Sequence, residues 1–66
     1  MLYLIYIMDN GLKWYVAAHT FYHGVTHMVL TSPTERWRAK RITTEENAVK
    51  CRDGLRQEGY DAYIET

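Results

Sequence analysis

The chain has 66 residues, with eight basic and eight acidic side chains, 47% apolar residues and one cysteine. This length permits one domain at most and argues against a deep catalytic pocket, because lining a cavity would consume much of a small core. Because the charges balance, the chain lacks the overall positive charge that is typical of nucleic-acid-binding domains. Its apolar content excludes a disordered chain. A lone Cys51 cannot form an intramolecular disulfide or a cysteine-rich zinc site, which is typical of a protein in the reducing cytoplasm.

The first predicted element is a strand over residues 2–8, which are mostly β-branched or aromatic. This apolar stretch is far shorter than the roughly 20 residues that a membrane-spanning helix needs, so no membrane association is expected. Asp9-Asn10-Gly11 follows, and Asn-Gly is the strongest short signal for a type I′ hairpin turn. A second strand is therefore predicted over residues 12–20.

A two-residue turn at Asn10-Gly11 fixes the register of this hairpin. It places Ile7 opposite Trp14 and Ile5 opposite Val16, so these four side chains share one face of the sheet.

A second turn is predicted at Tyr22-His23-Gly24, with three residues and a glycine in the left-handed region, leading into a third strand from Val25 to Thr31. This turn places Ala18 opposite Met28 and Val16 opposite Leu30. Both turns then assign the large apolar side chains to the same face, which predicts a three-stranded meander.

The remaining elements are a strand, a helix and a strand. Residues 36–42 alternate in polarity and predict a half-buried edge strand. Thr43 is predicted to cap the helix with Glu46 in a capping box, and Gly59 to end it. Residues 60–65 form the last strand. The predicted fold class is α+β: one domain over residues 1–66, an antiparallel sheet of four to five strands in the order β-β-β-β-α-β, with one helix on one face.

One helix covers one face of such a sheet, and the opposite face should then carry apolar and tyrosine side chains in place of the usual polar ones. An uncovered face of this kind is typical of an interaction surface, and a homodimer is the simplest way to bury it. The alternative is a sheet that curls into a small barrel and buries both sides. The predicted partner-binding residues are Tyr6, Met8, Tyr15, His19, His27 and Val29.

The only basic run surrounds a tryptophan and forms a predicted secondary patch: Arg36, Trp37, Arg38 and Lys40, with Arg41 beside them. Basic residues alternating with an aromatic can hold phosphates and stack a base, so a nucleic-acid-binding accessory protein is the alternative function. Charge that keeps an edge strand from aggregating is the simpler interpretation.

The three histidines are spaced by four residues, and the predicted hairpin makes His19 and His27 cross-strand neighbours. Such a pair could hold a metal with a third ligand, or lie at an interface. Cys51 falls on the apolar stripe of the helix, where a cysteine is usually a small buried side chain. Because no catalytic motif is found, no enzyme activity, cofactor or metal is predicted.

Residues 36–64 contain two short motifs. The first, Thr-x-Glu-x-Ala, lies within residues 43–48, and the second, Leu-x-x-x-Gly-Tyr-x-Ala, runs from Leu55 to Ala62. This part of the chain resembles the last strand-helix-strand unit of SPOR peptidoglycan-binding domains. In the first half, a hairpin stands where that family has a helix.

The whole chain, which begins directly with a strand, carries an Asn-Gly hairpin and ends with a Thr-Glu-Glu-Asn-Ala helix, resembles small α+β proteins of bacteriophages. This resemblance implies a non-enzymatic protein that binds and modulates or inhibits a host protein in the host cytoplasm. The expected partner is therefore a protein, either a host component or a second copy.

Overall fold

The computed structural model describes all residues from 1 to 66. In chain order the elements are β1 (Leu4–Asp9), β2 (Leu12–Tyr22), β3 (Val25–Thr31), a 3₁₀ helix (Pro33–Arg38), α1 (Glu45–Gln57) and β4 (Ala62–Glu65). The four strands form one antiparallel sheet in the order β3-β2-β1-β4. The predicted α+β class, with one main helix against an antiparallel sheet, is confirmed.

The first hairpin forms as predicted. Asn10 and Gly11 have φ values of 52° and 77°, and the sequence places there the two residue types that adopt positive φ at least cost. Ile7 pairs with Trp14, which is the predicted register.

The second hairpin turn contains two residues, His23 and Gly24, and the predicted three-residue turn is wrong. Tyr22 pairs with Val25 and closes the hairpin, and His23 has a φ of 52°. Histidine adopts this left-handed conformation more readily than most residues, and the two-residue turn matches the twist of the strands.

An extra residue in β2 reconciles this tighter turn with the pairing farther along the strands. Val16 pairs with Leu30 as predicted, but the register then shifts and Ala18 pairs with Val29. The predicted pair of Ala18 with Met28 is therefore wrong. Ala17 is the additional residue of a β-bulge, and every later side chain of β2 lies on the face opposite to the one predicted.

The predicted strand over residues 36–42 is also wrong. The chain forms the 3₁₀ helix from Pro33, where the fixed φ of proline suits the first helical turn. After it, Lys40 donates a backbone hydrogen bond of 3.0 Å to the carbonyl of Val16, beside the bulge. Ile42 then forms an isolated bridge with Tyr3, through backbone bonds of 2.8 and 3.0 Å.

Helix α1 has well-defined ends. The side chain of Thr44 accepts a hydrogen bond of 3.3 Å from the backbone of Asn47, so the cap lies one residue after the predicted Thr43. At the other end, Gly59 donates to the carbonyl of Arg56 and Tyr60 donates to that of Leu55, which is a Schellman motif. The predicted end at Gly59 is confirmed.

The core lies between α1 and the face of the sheet that we call the helix face. Leu55 is fully buried and packs with Ile5 and Val16, each 1% exposed. The cluster comprises Ile5, Ile7, Val16, Ile42, Ala48, Leu55 and Ala62. The opposite side, which we call the second face, has a smaller cluster of Leu4, Tyr15 and Ala39. No helix is long and apolar enough to span a lipid bilayer.

Two glycine substitutions should change stability in opposite directions. Gly54 lies inside α1 with nothing within 4 Å of an added Cβ, so Gly54→Ala should raise the free energy of unfolding by about 0.5–1 kcal/mol. Gly11 has equally open space but a φ of 77°, so Gly11→Ala should lower it by about 1–2 kcal/mol. Urea denaturation followed by circular dichroism measures both. Equal effects of the same sign would contradict the assignment of these two backbone conformations.

Candidate interaction surface

The carboxylate of Glu65, the last residue of β4, organises the half of the second face that lies against the 3₁₀ helix. Glu65 accepts a hydrogen bond of 2.5 Å from Lys13, bonds of 2.8 and 2.9 Å from the Tyr15 hydroxyl, and one of 2.8 Å from Arg36. Lys13 and Tyr15 belong to β2, Glu65 to β4 and Arg36 to the 3₁₀ helix. The network therefore ties the 3₁₀ helix to the sheet.

Tyrosine rings pack around this network. Tyr6 stacks on Tyr63 with 5.4 Å between ring centroids and meets Tyr15 edge to face at 6.2 Å. The ammonium group of Lys13 lies 4.2 Å from the centroid of the Tyr6 ring. Cation–π and aromatic contacts of this kind each contribute about 0.5–1.5 kcal/mol.

The charges on Glu65 and its neighbours stabilise one another. Burial alone would raise the pKa of the Glu65 carboxyl, but the hydrogen bonds from Lys13, Arg36 and Tyr15 outweigh this effect and lower the pKa to about 2. The same hydrogen bond raises the pKa of Lys13 against the smaller opposing effect of burial. The carboxylate and the ammonium group thus stay charged over the whole physiological range.

The Glu65 network and the 3₁₀ helix leave little exposed surface on the predicted partner-binding residues beside them. Tyr15 is only 3% exposed and belongs to the small core cluster. Tyr6 and Met8 are half-buried. No sequence pattern indicates this cover, because Arg36 and Glu65 are 29 residues apart and meet only in the folded chain.

The far part of the β2–β3 hairpin, by which we mean the part next to its turn at His23-Gly24, is the large uncovered region. Five of its apolar side chains are between 40% and 67% exposed, and we call them the hairpin patch: Phe21, Tyr22, Val25, Val29 and Leu30. The pairs Tyr22–Val25 and Ala18–Val29 lie on the second face, whereas Phe21 and Leu30 lie on the helix face. Of the predicted partner-binding residues, Val29 belongs to this patch and His27 is exposed beside it.

His19 lies on the helix face, which corrects its predicted place on the opposite side. Its Nε2 is 3.0 Å from Oε2 of Glu58, at the end of α1, and Thr26 donates a hydrogen bond to the other oxygen of the same carboxylate. The bulge at Ala17 is the reason, because it shifts His19 opposite Met28. Glu58 was not singled out from the sequence, yet it connects the hairpin to the helix.

The histidines do not assemble into one site. His27 pairs with Thr20 and lies on the second face, so the predicted cross-strand pair of His19 and His27 is wrong. His23 lies in the turn against the ring of Tyr22, with 4.0 Å between ring centroids. No group of three or more His, Cys, Asp or Glu side chains is arranged to hold a metal ion.

The predicted secondary patch is partly neutralised. Arg36 bonds to Glu65, and Arg38 pairs with Glu35 at 3.2 Å. Trp37 is 72% exposed, with the Arg38 guanidinium 6.0 Å from its ring. Lys40 lies farther along, in the wall of a small polar cleft.

This polar cleft of about 240 Å³ lies beside the start of α1 and is lined by Lys40, Arg41, Ile42, Thr43, Asn47 and Cys51. Burial raises the pKa of the Cys51 thiol, which is half-buried against the core. The thiol is thus in its neutral form at physiological pH, as expected for a packing residue. A second cleft, of about 360 Å³, has Ile7, Leu30 and Tyr60 among its lining residues.

The fold and this surface define a small α+β protein with one covered and one open sheet region. No protein-family model, no curated protein and no solved structure matches the chain.

The Glu65 network should make stability depend on pH. Because the pKa of Glu65 is lowered in the folded chain, its contribution is complete above the unfolded value near 4.5 and is lost as the pH falls toward 2. Glu65→Gln should lower the free energy of unfolding by about 1–3 kcal/mol at pH 7. The difference from the unmodified protein should shrink through this range and vanish below pH 2.

Urea titrations at several pH values measure this difference. Glu46→Gln is the matched control, because Glu46 is an exposed helical carboxylate whose contact with Lys50 is a surface ion pair worth less than about 1 kcal/mol. A pH-independent effect of Glu65→Gln would show that shape, and not charge, makes the contribution.

Proposed function

We propose that the protein is a non-enzymatic protein–protein interaction module that binds its partner through the hairpin patch. The observation that carries this proposal is the concentration of large exposed apolar side chains in one hairpin. Three of them, Tyr22, Val25 and Val29, lie on the second face, and exposed apolar patches on a sheet face mark interaction sites. Interface centres are also depleted of charge and enriched in aromatic residues.

The charge pattern supports the same region. From Trp14 to Thr34, 21 consecutive residues, the chain has no aspartate, glutamate, lysine or arginine. All eight basic and eight acidic side chains lie outside this segment. A solvated hairpin of this length would normally carry several charges, so a neutral one favours contact with a protein surface.

The hairpin is also held in a fixed orientation. Strand β2 has 11 residues, but its register with β1 extends only over Leu12–Tyr15, so the far part stands beyond the rest of the sheet. Glu58 anchors this part to α1 through His19 and Thr26. A preorganised surface loses less conformational entropy on binding, which favours affinity.

The resemblance to small bacteriophage proteins adds a more specific form of this proposal. In that form the partner is a host protein in the cytoplasm, and binding modulates or inhibits it. The patch supplies the apolar anchors for such a contact, whereas the identity of the host component rests on the resemblance alone.

A serine substitution should separate binding from folding. Tyr22 is 67% exposed, so Tyr22→Ser should leave stability within about 0.5 kcal/mol but weaken capture of a partner at least about tenfold. Immobilised protein is incubated with bacterial lysate, the captured protein is identified, and its purified form is titrated by calorimetry. Leu12→Ser is the matched control, because Leu12 is 59% exposed at the opposite end of the strand.

A partner that binds Tyr22→Ser and the unmodified chain equally would contradict the proposed surface. Equal losses for both serine variants would indicate a nonspecific apolar effect and would also count against it.

The alternative is a nucleic-acid-binding accessory function, and the exposure of Trp37 beside Arg38 favours it. Under this alternative, single-stranded DNA should quench tryptophan fluorescence, with an affinity that falls steeply with salt. Trp37→Ala and Arg38→Ala should abolish the signal, and Tyr22→Ser should not change it. Because Arg36 and Arg38 already have carboxylate partners, we expect no binding at physiological salt.

A further inference from the structure

The two edges of the sheet differ in how well they are protected. Edge strand β4 has four residues, and its Glu65 is held in the charged network. Edge strand β3 has seven residues and contains no charged residue and no proline. Natural proteins protect edge strands by shortness, charge, proline or a cover, and β3 has none of these over most of its length.

The backbone of β3 indicates what kind of group would cover this edge. Tyr22 and Val25 close a two-residue turn, so the backbone groups of Val25 and His27 bond to β2. Alternation then directs the N–H and C=O groups of Thr26 and Met28 away from the sheet. A row of such donors and acceptors is matched by another extended strand.

We propose that the outer edge of β3 pairs with β3 of a second copy of this chain, antiparallel and around a two-fold axis at Met28. The two-fold axis of such an antiparallel pair is perpendicular to the sheet. Each residue of β3 then lies opposite a residue of the second copy whose side chain is on the same face of the sheet. The axis at Met28 places His27 opposite Val29 of the partner subunit. In this register all seven residues of β3 lie opposite a residue of the second copy.

The lack of charge favours a second copy as the occupant. In a two-fold pair, every charge near the axis would approach its own equivalent, and like charges opposite each other destabilise a sheet. A neutral strand is free of this penalty, whereas a foreign strand would require no such neutrality. The apolar side chains on either face of the edge would also extend into the pair, with Val25 and Val29 on one face and Leu30 on the other.

The result would be a continuous eight-stranded sheet with both α1 helices on the same face. This inference goes beyond the proposed function, because it concerns the backbone edge of β3, whereas the proposed function depends on exposed side chains of the same hairpin. Tyr22 lies on β2, one strand away from the paired edge, so the two proposals are tested by different residues.

The first experiment measures the oligomeric state by sedimentation velocity over a series of protein concentrations. The unmodified chain should form dimers, and Val29→Lys should weaken dimerisation at least about tenfold, because the two lysines would lie diagonally across the axis and lysine protects an edge strand from pairing. Val29→Thr keeps a neutral β-branched residue and should retain the dimer. Leu12→Lys is the matched control, with a similar exposed apolar side chain far from β3. A chain that is monomeric at all concentrations, or a dimer that Val29→Lys does not weaken, would overturn the proposal.

The second experiment tests the register in a Cys51→Ala background. A His27→Cys chain is mixed with a Val29→Cys chain under mild oxidation. The directly opposed, non-hydrogen-bonded positions have Cα atoms about 4.5 Å apart, which suits a disulfide, so the mixture should give cross-linked heterodimers. Each variant alone should cross-link far less, because its two cysteines are not directly opposed. A dimer that persists in the mixture without this cross-link would overturn the edge pairing.

The outcomes also separate the two proposals. If the chain is monomeric but Tyr22→Ser weakens capture of a foreign protein, only the edge pairing fails. If the dimer and its cross-link form but no partner depends on Tyr22, the edge pairing stands and the binding function of the hairpin patch fails.

Discussion

The extra residue at Ala17 determines what the far half of the hairpin presents on each face. In a strand, successive side chains alternate between faces, so one inserted residue reverses every side chain beyond it. The bulge places His19 toward α1, opposite Met28, and moves Ala18 to the second face, opposite Val29. It also lies beside the carbonyl of Val16, which accepts the backbone N–H of Lys40. The bulge at this single position therefore influences both the path of the chain after the 3₁₀ helix and the set of side chains that the hairpin exposes.

The second consequence is a division of the second face into two parts. Near β1 and β4, the 3₁₀ helix and the Glu65 network cover the sheet, and Tyr15 becomes a core residue. Farther along β2 and β3 no cover is present, and the exposed apolar side chains are concentrated there. The cover on this face is a six-residue 3₁₀ helix, whereas strand β2 has 11 residues. The open part of the second face is therefore a result of the unequal lengths of the 3₁₀ helix and the hairpin.

The functional proposal and the pairing of β3 use two different properties of this hairpin. The first depends on the area of apolar side chains, which are non-directional and fit many protein surfaces. The second depends on unpaired backbone groups, which are directional and require an extended strand. The long uncharged segment serves both, because charges in it would repel a second copy and would be costly to desolvate in any interface. That segment is visible in the sequence, and it is the signal that marks the hairpin more directly than the spacing of the histidines does.

The elements with local causes can be predicted from the amino-acid sequence. Asn10-Gly11 set the first turn and its register, and Gly59 set the end of the helix, because a turn or a cap depends on the conformational preferences of a few adjacent residues. The α+β class followed from the apolar patterns of the strands and the helix. The bulge at Ala17 and the cover over Tyr15 become visible only in the folded chain. Both depend on groups far apart in the chain: the carbonyl of Val16 meets Lys40, and Glu65 gathers Lys13, Tyr15 and Arg36. Contacts of this kind leave no periodic pattern in the sequence, and so the fold was predictable whereas the exact surface was not.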